Sequence, residues 1–167
     1  HRGALPPGRR EHDAARDGKP RAVTEPLRFT LELDCAPAHA FEVWTARASL
    51  WWPRGHTMSG ETGLEVVFEP HVGGRIFERT PAGQEHEWGE VTAWEPPRRL
   101  AYLWHIAADR SSATDVEIRF APLEGGRTRV EIEHGGWERL GERGLDWRNA
   151  NVGGWEGVLP YYTEAAR

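Results

Sequence analysis

The sequence is poor in several things, and each shortage narrows the reading. Of its 167 residues only Cys35 is a cysteine, so no internal disulfide can form, as expected for a reducing compartment such as the cytoplasm. No apolar run reaches the roughly 18 residues that a membrane-spanning helix requires. Positive charge is not in excess: the net charge is −5, which argues against a nucleic-acid surface. No serine sits in a Gly-x-Ser-x-Gly elbow, and Gly73-Gly74 and Gly125-Gly126 do not open a helix as a phosphate-cradling loop would. His86-Glu87-Trp88-Gly89-Glu90 starts like a zincin motif but ends on Glu. It also lies on an expected strand, where positions i and i+4 are too far apart to share one ion. No metal site and no cofactor are expected.

What is abundant is tryptophan, nine in all. So many large flat rings imply either a ring-packed core or an aromatic-lined cavity. Hydrophobic residues at 38% and charged residues at 28% suit one globular domain. Residues 1–26 stand apart. They lack a hydrophobic period and carry six basic and four acidic residues, leaving 15 basic and 22 acidic for the rest. That stretch reads as a disordered or loosely attached tail, and 27–167 as the folded domain.

Leu27, Phe29, Leu31 and Leu33 alternate with polar neighbours, the pattern of a half-buried strand. Pro37 suits the first turn of a helix, and a second short helix is expected over Ala48 to Trp52, ending at Pro53. From Leu64 onward short turns separate strands at 64–69, 75–80, 85–95, 99–107, 114–121 and 128–134. Connections this short give an antiparallel meander. The last segment carries Trp155, Val158, Leu159 and Tyr162 on one helical stripe. A single amphipathic helix after a run of strands must lay that stripe on the sheet. Pro160 within it predicts a kink. The expected fold is α+β: a curved antiparallel sheet of about seven strands around a long C-terminal helix, with two short helices after the first strand.

Two groups stand out as chemically interesting. Glu90 shares parity with Trp88 and Trp94, which would point a carboxyl inward and raise its pKa; a bulge at Gly89 would turn it outward, and the sequence leaves both open. His134 ends the last strand, where it could meet a ligand or simply secure the following loop. Glu117, Glu131 and Glu133 share a wet face with Arg119 and Arg129 and read as cross-strand ion pairs.

Eight short motifs occur in order: Phe41-Glu42-Val43-Trp44, Trp51-Trp52-Pro53, Gly73-Gly74-Arg75, Gly89-Glu90-Val91, Pro96-Pro97-Arg98-Arg99-Leu100, Thr128-Arg129-Val130, His134-Gly135-Gly136-Trp137 and Gly154-Trp155-Glu156. Together they resemble the bacterial branch of the family named after the activator of the heat-shock-ninety ATPase, within the START-like superfamily of helix-grip proteins. The resemblance implies a cavity between sheet and C-terminal helix that takes a hydrophobic or aromatic small molecule. Its expected lining is Trp44, Trp52, Phe68, Phe77, Trp88, Glu90, Tyr102, Trp104, Phe120, His134, Trp155, Leu159 and Tyr162. The superfamily also holds polyketide cyclases and cochaperones, so a cyclase-like or hydrolase-like enzyme and stimulation of a chaperone ATPase are the alternatives. A homodimer is left open.

Overall fold

A computed structural model describes residues 25–167. The expected tail, 1–26, lies outside the described residues except for its last two. Seven strands form one antiparallel sheet: β1 (Leu27–Leu33), β2 (Glu65–Phe68), β3 (Arg75–Arg79), β4 (Glu85–Glu95), β5 (Arg99–Trp104), β6 (Thr114–Leu123) and β7 (Arg127–Gly135). Their order across the sheet is β1-β7-β6-β5-β4-β3-β2. After β1 come two short helices, α1 (Pro37–Trp44) and α2 (Ala48–Trp51), and the chain closes with α3 (Gly144–Ala165). α1 does begin at its proline.

The wet face of β6 and β7 carries ion pairs as its alternation implied, some across strands and one within β6, while Glu131 has none among the described residues. Arg119 meets Glu117 at 2.6 Å, Arg99 meets Glu117 at 3.3 Å, and Arg28 meets Glu133 at 3.4 Å. On the other face Val116, Ile118, Phe120, Val130 and Ile132 are buried against the helices. α3 adds Trp155, Val158, Leu159 and Tyr162 to that core, each burial contributing about 1.5–3 kcal/mol before ordering costs. The Tyr162 hydroxyl donates to the Ala40 carbonyl at 2.7 Å, and the Trp51 indole to the Val43 carbonyl at 2.7 Å. The three helices are thus tied to one another by side chain to backbone bonds.

α3 differs from expectation in two ways. It starts at Gly144, preceded by a tight helical stretch over Trp137–Arg143 that breaks at Gly141 (φ 58°). It also runs on through Pro160. The carbonyl deprived of its partner belongs to Glu156, and both Glu156 and Pro160 face solvent, where water can satisfy it. β5 is shorter than predicted and ends at Trp104, because the chain turns at residues 105–107.

β4 holds the answer to the parity question. Opposite β3, Ile76 pairs with Gly89 and Phe77 with Glu87, so Trp88 has no partner. Opposite β5, Val91 pairs with Tyr102 and Ala93 with Ala101, so Thr92 has none. Each extra residue flips the alternation and bends the strand. The first flip sends Trp88 inward and Glu90 outward; the second brings Trp94 back to the core, edge-on to Phe41 at 5.1 Å.

Candidate functional site

Most of the space between sheet and α3 is filled by the protein's own rings. Trp44 is wholly buried among Trp51, Trp155 and Tyr162, with ring centroids 4.6–6.1 Å away. Phe68 meets Tyr102 edge-on at 5.8 Å, and Phe120 meets Phe41 at 5.3 Å. Leu159 is buried in the same core. A narrow slot of about 80 Å³ remains, lined by Trp52, His56, Trp104, Ile106, Asn151, Gly154, Trp155 and Val158. A pocket enclosing a drug-sized ligand is roughly 300–1,000 Å³. Among the described residues the expected cavity between sheet and helix is represented by a slot well below that size, narrowed by close packing of tryptophans.

Three elements supply the slot's aromatic walls. Trp52 follows α2, and Pro53 after it favours the extended backbone that turns the chain outward. Its indole donates to the His56 carbonyl at 2.9 Å, and its ring stacks obliquely on Trp88 at 5.0 Å and Trp104 at 5.9 Å. Trp104 is the last residue of β5. Trp155 comes from α3, and its indole donates to His134 Nδ1 at 2.9 Å. A Cβ at Gly157 would stand 2.5 Å from His56 Nε2, so a glycine at 157 lets that imidazole lie on the helix.

A second, larger hollow of about 660 Å³ is lined by Met58, Ala107, Ala108, Asp109, Ser111, Ser112, Leu140, Arg143 and Trp147, several of them next to slot residues in the chain. Ile106 of the slot neighbours Ala107 of the hollow. On α3, Trp147 stands one turn before Asn151, whose amide donates to the Trp147 carbonyl at 2.9 Å. Ala107 holds φ at 59°, a left-handed conformation that alanine rarely adopts, and its N–H points to the Met58 thioether at 3.1 Å.

His134 does not border the slot. It is wholly buried, and both ring nitrogens are engaged. The Trp155 indole can only donate, so Nδ1 accepts. Nε2 therefore carries the proton and donates to Thr114 Oγ1 at 2.7 Å, and that hydroxyl donates onward to the Trp104 carbonyl at 3.3 Å. Burial pushes the imidazole pKa down to about 3. Such a histidine holds Trp155 and Trp104 in place and has no free nitrogen for a ligand. Tyr162 is likewise spent on Ala40, and burial raises the pKa of both Tyr162 and Tyr102.

Glu90 leaves the lining for the reason given by the β4 bulge. It lies on the outer face, partly exposed, and Arg110 meets it at 2.7 Å. Phe77 also leaves: it belongs to the outer face, under the guanidinium groups of Arg75 (4.2 Å) and Arg79 (5.2 Å). Of the thirteen expected lining residues, Trp52, Trp104 and Trp155 border the slot. His56, Ile106, Asn151, Gly154 and Val158 were missed. Asn151, Gly154, Trp155 and Val158 do follow the helical stripe, but two of them are not apolar side chains and a hydrophobic scan passes over them.

The sequence reading also missed Glu78, a wholly buried carboxylate on the inner face. Burial by itself would raise its pKa. The Met58 N–H, the Ser59 hydroxyl, the Trp88 indole and the Ser59 N–H more than offset this and hold it below the usual carboxylate range. The indole lies 2.9 Å from Oε1 and the Ser59 N–H 3.0 Å from Oε2. Glu78 thus pins the Met58 loop, one rim of the hollow, to the sheet. Glu78→Gln turns an amide donor toward at least one of these N–H groups. Its expected cost is about 1–3 kcal/mol in denaturant unfolding, and a change below about 0.5 kcal/mol would deny the carboxylate this role.

Cys35 is half-buried, and burial together with Asp34 raises its thiol pKa, so it is a poor nucleophile. Among the described residues no three His, Cys, Asp or Glu side chains converge. No helix among them is long and apolar enough to cross a membrane.

Comparison with known proteins gives consistent kinship. The chain is 30% identical to an anthrahydroquino-γ-pyrone synthase, Txn09, over 86% of this chain and 98% of that one, with a TM-score of 0.59. The self-sacrificing resistance protein CalC from Micromonospora echinospora is 21% identical over 86% and 95% of the two chains, with a TM-score of 0.63. CalU16 from the same organism is 22% identical over 84% and 75%, with a TM-score of 0.56. At those lower identities the likeness is one of fold. No curated protein sequence matches. Residues 34–160 match the family described as activator of Hsp90 ATPase homolog 1-like protein. With a helix-grip fold and a match over three quarters of its length, the chain belongs to the activator of Hsp90 ATPase homolog 1-like family.

Proposed function

We propose that this protein binds a flat, largely apolar aromatic small molecule, one ring edge entering the slot and the rest lying in the larger hollow. The observation that carries this reading is the slot itself: tryptophans from three separate parts of the chain, Trp52, Trp104 and Trp155, face one gap beside the C-terminal helix. Polar groups are few there, the imidazole of His56 and the amide of Asn151, as in small-molecule sites generally. Kinship at 30% identity with a protein named as a synthase of a polycyclic aromatic supports the same ligand class. Size shapes the proposal. Burying about 100 Å² of apolar ligand surface contributes about 2.5 kcal/mol before ordering costs, so the hollow must supply the remaining affinity.

Gly154→Leu tests it. No atom lies within 4 Å of a Cβ at Gly154, so the new side chain has room to start from a residue that lines the slot. It also replaces a mid-helix glycine by a residue about 0.8–1 kcal/mol better in helix propensity. The fold should survive. Affinity for an anthraquinone probe, followed by tryptophan quenching, should fall about tenfold or more. An unchanged affinity would place the ligand elsewhere.

A second reading, catalysis on the same ligand, draws on the synthase relative. With Glu90 outward and His134 locked, His56 is the titratable side chain on the slot. Turnover of an aromatic polyketide that vanishes in His56→Ala while binding persists would select this reading.

A further inference from the structure

Three arginines near the hollow are held by a carboxylate or a backbone carbonyl, and a fourth has only a long hydrogen bond to a hydroxyl. Arg139 is bound to Asp115 and to the Ala113 carbonyl. Arg110 meets Glu90 at 2.7 Å, and Arg148 donates to the Glu25 carbonyl at 2.9 Å. Arg143 lines the hollow, and its one hydrogen-bond partner among the described residues is the Ser112 hydroxyl, at 3.4 Å. Among those residues it has no carboxylate within ion-pair distance. A guanidinium with an open fork, set beside the hydroxyls of Ser111 and Ser112, is the arrangement that receives a carboxylate or phenolate oxygen. Asp109 is the opposing charge on the same lining.

Position along α3 gives a length. Arg143 immediately precedes the helix and Asn151 borders the slot, eight residues on, about 12 Å at 1.5 Å per residue. A rigid ligand reaching both ends must be about that long, the span of two or three fused rings with a substituent.

Resting on the aromatic-binding reading above, we propose that the ligand is an aromatic acid or phenolate. Its ring end sits between Trp52, Trp104 and Trp155, and its anionic oxygen is held by Arg143 with Ser112. Asp109 disfavours dianions and keeps the site selective for a single negative charge near Arg143.

The test uses two probes of one shape, anthraquinone-2-carboxylate and anthraquinone-2-carboxamide, titrated by tryptophan quenching into the full chain at low salt. The wild type should bind the acid at least about fivefold more tightly than the amide, a modest ratio because an exposed arginine is screened by water. Arg143→Gln should bring the two probes to parity, and Asp109→Asn should widen the wild-type gap. Both positions are at the surface, so unchanged circular dichroism is expected. Equal binding of acid and amide by the wild type, unmoved by Arg143→Gln, overturns the anion site and leaves aromatic binding standing. Failure of both probes to bind overturns both readings.

Discussion

Gly89→Ala is expected to lower the unfolding free energy by about 3 kcal/mol or more, because among the described glycines it is the one whose added methyl meets the closest backbone atom. A Cβ at Gly89 would lie 2.0 Å from the Leu103 carbonyl oxygen and 3.2 Å from its carbon. Those are backbone atoms of the neighbouring strand, so no rotamer change relieves the clash. Gly89 follows the unpaired Trp88 and pairs with both Ile76 and Trp104. The close approach sits where β4 bends, and the bend seats Trp88 against Trp52 and Trp104. Relief requires separating β4 from β5, which disturbs the slot's walls as well as the sheet. Urea unfolding monitored by tryptophan emission measures it. A loss under about 1 kcal/mol would mean that the two strands run farther apart than described here.

The second large effect is on acid stability. His134 is neutral in the fold with a pKa near 3, against about 6.5 when exposed. Its folded pKa is depressed, so the unfolded chain takes up the proton first. The stability is complete above about pH 6.5 and declines as pH falls toward 3, by about 1.4 kcal/mol per pH unit from this group alone. Glu78 acts in the same direction at lower pH. Its folded pKa lies below the usual range, so its contribution is present above the ordinary carboxylate pKa and is lost as pH drops through the folded value. Unfolding free energies measured from pH 7 to pH 4.5 should fall steeply for the wild type. His134→Gln starts lower, because the Trp155 and Thr114 partners are disturbed, but should lose most of the slope between pH 6.5 and 4.5. An equal slope in the two proteins would assign it to other groups.

Much of the architecture could be read from residue order. β1, β6 and β7 alternate cleanly, the turns are short, and the stripe on α3 is strong, so the meander and the helix laid across it follow from local pattern. β4 resisted because side-chain parity assumes regular pairing, and two unpaired residues, Trp88 and Thr92, reset it twice within one strand. Phe77 and Glu78 invert the usual preference, the ring out and the acid in. Long-range partners make that stable: Arg75 and Arg79 over the ring, and the Met58–Ser59 backbone and Trp88 around the carboxylate. The wealth of tryptophan was plain in the sequence, but the size of the gap left among the rings depends on how they interdigitate across Trp44, Trp52, Trp88, Trp104 and Trp155. Composition does not encode that.

The indole N–H resonances report on the slot directly. Nine tryptophans give nine such signals. The Trp52 and Trp155 protons point to known acceptors beside the slot, while Trp137 donates to the His134 carbonyl away from its lining. On titration with an anthraquinone probe, the signals of Trp52, Trp104 and Trp155 should shift together and saturate, with Trp137 unmoved. Saturation with these three signals still, or with shifts confined to protons elsewhere, would contradict binding between the sheet and its helix.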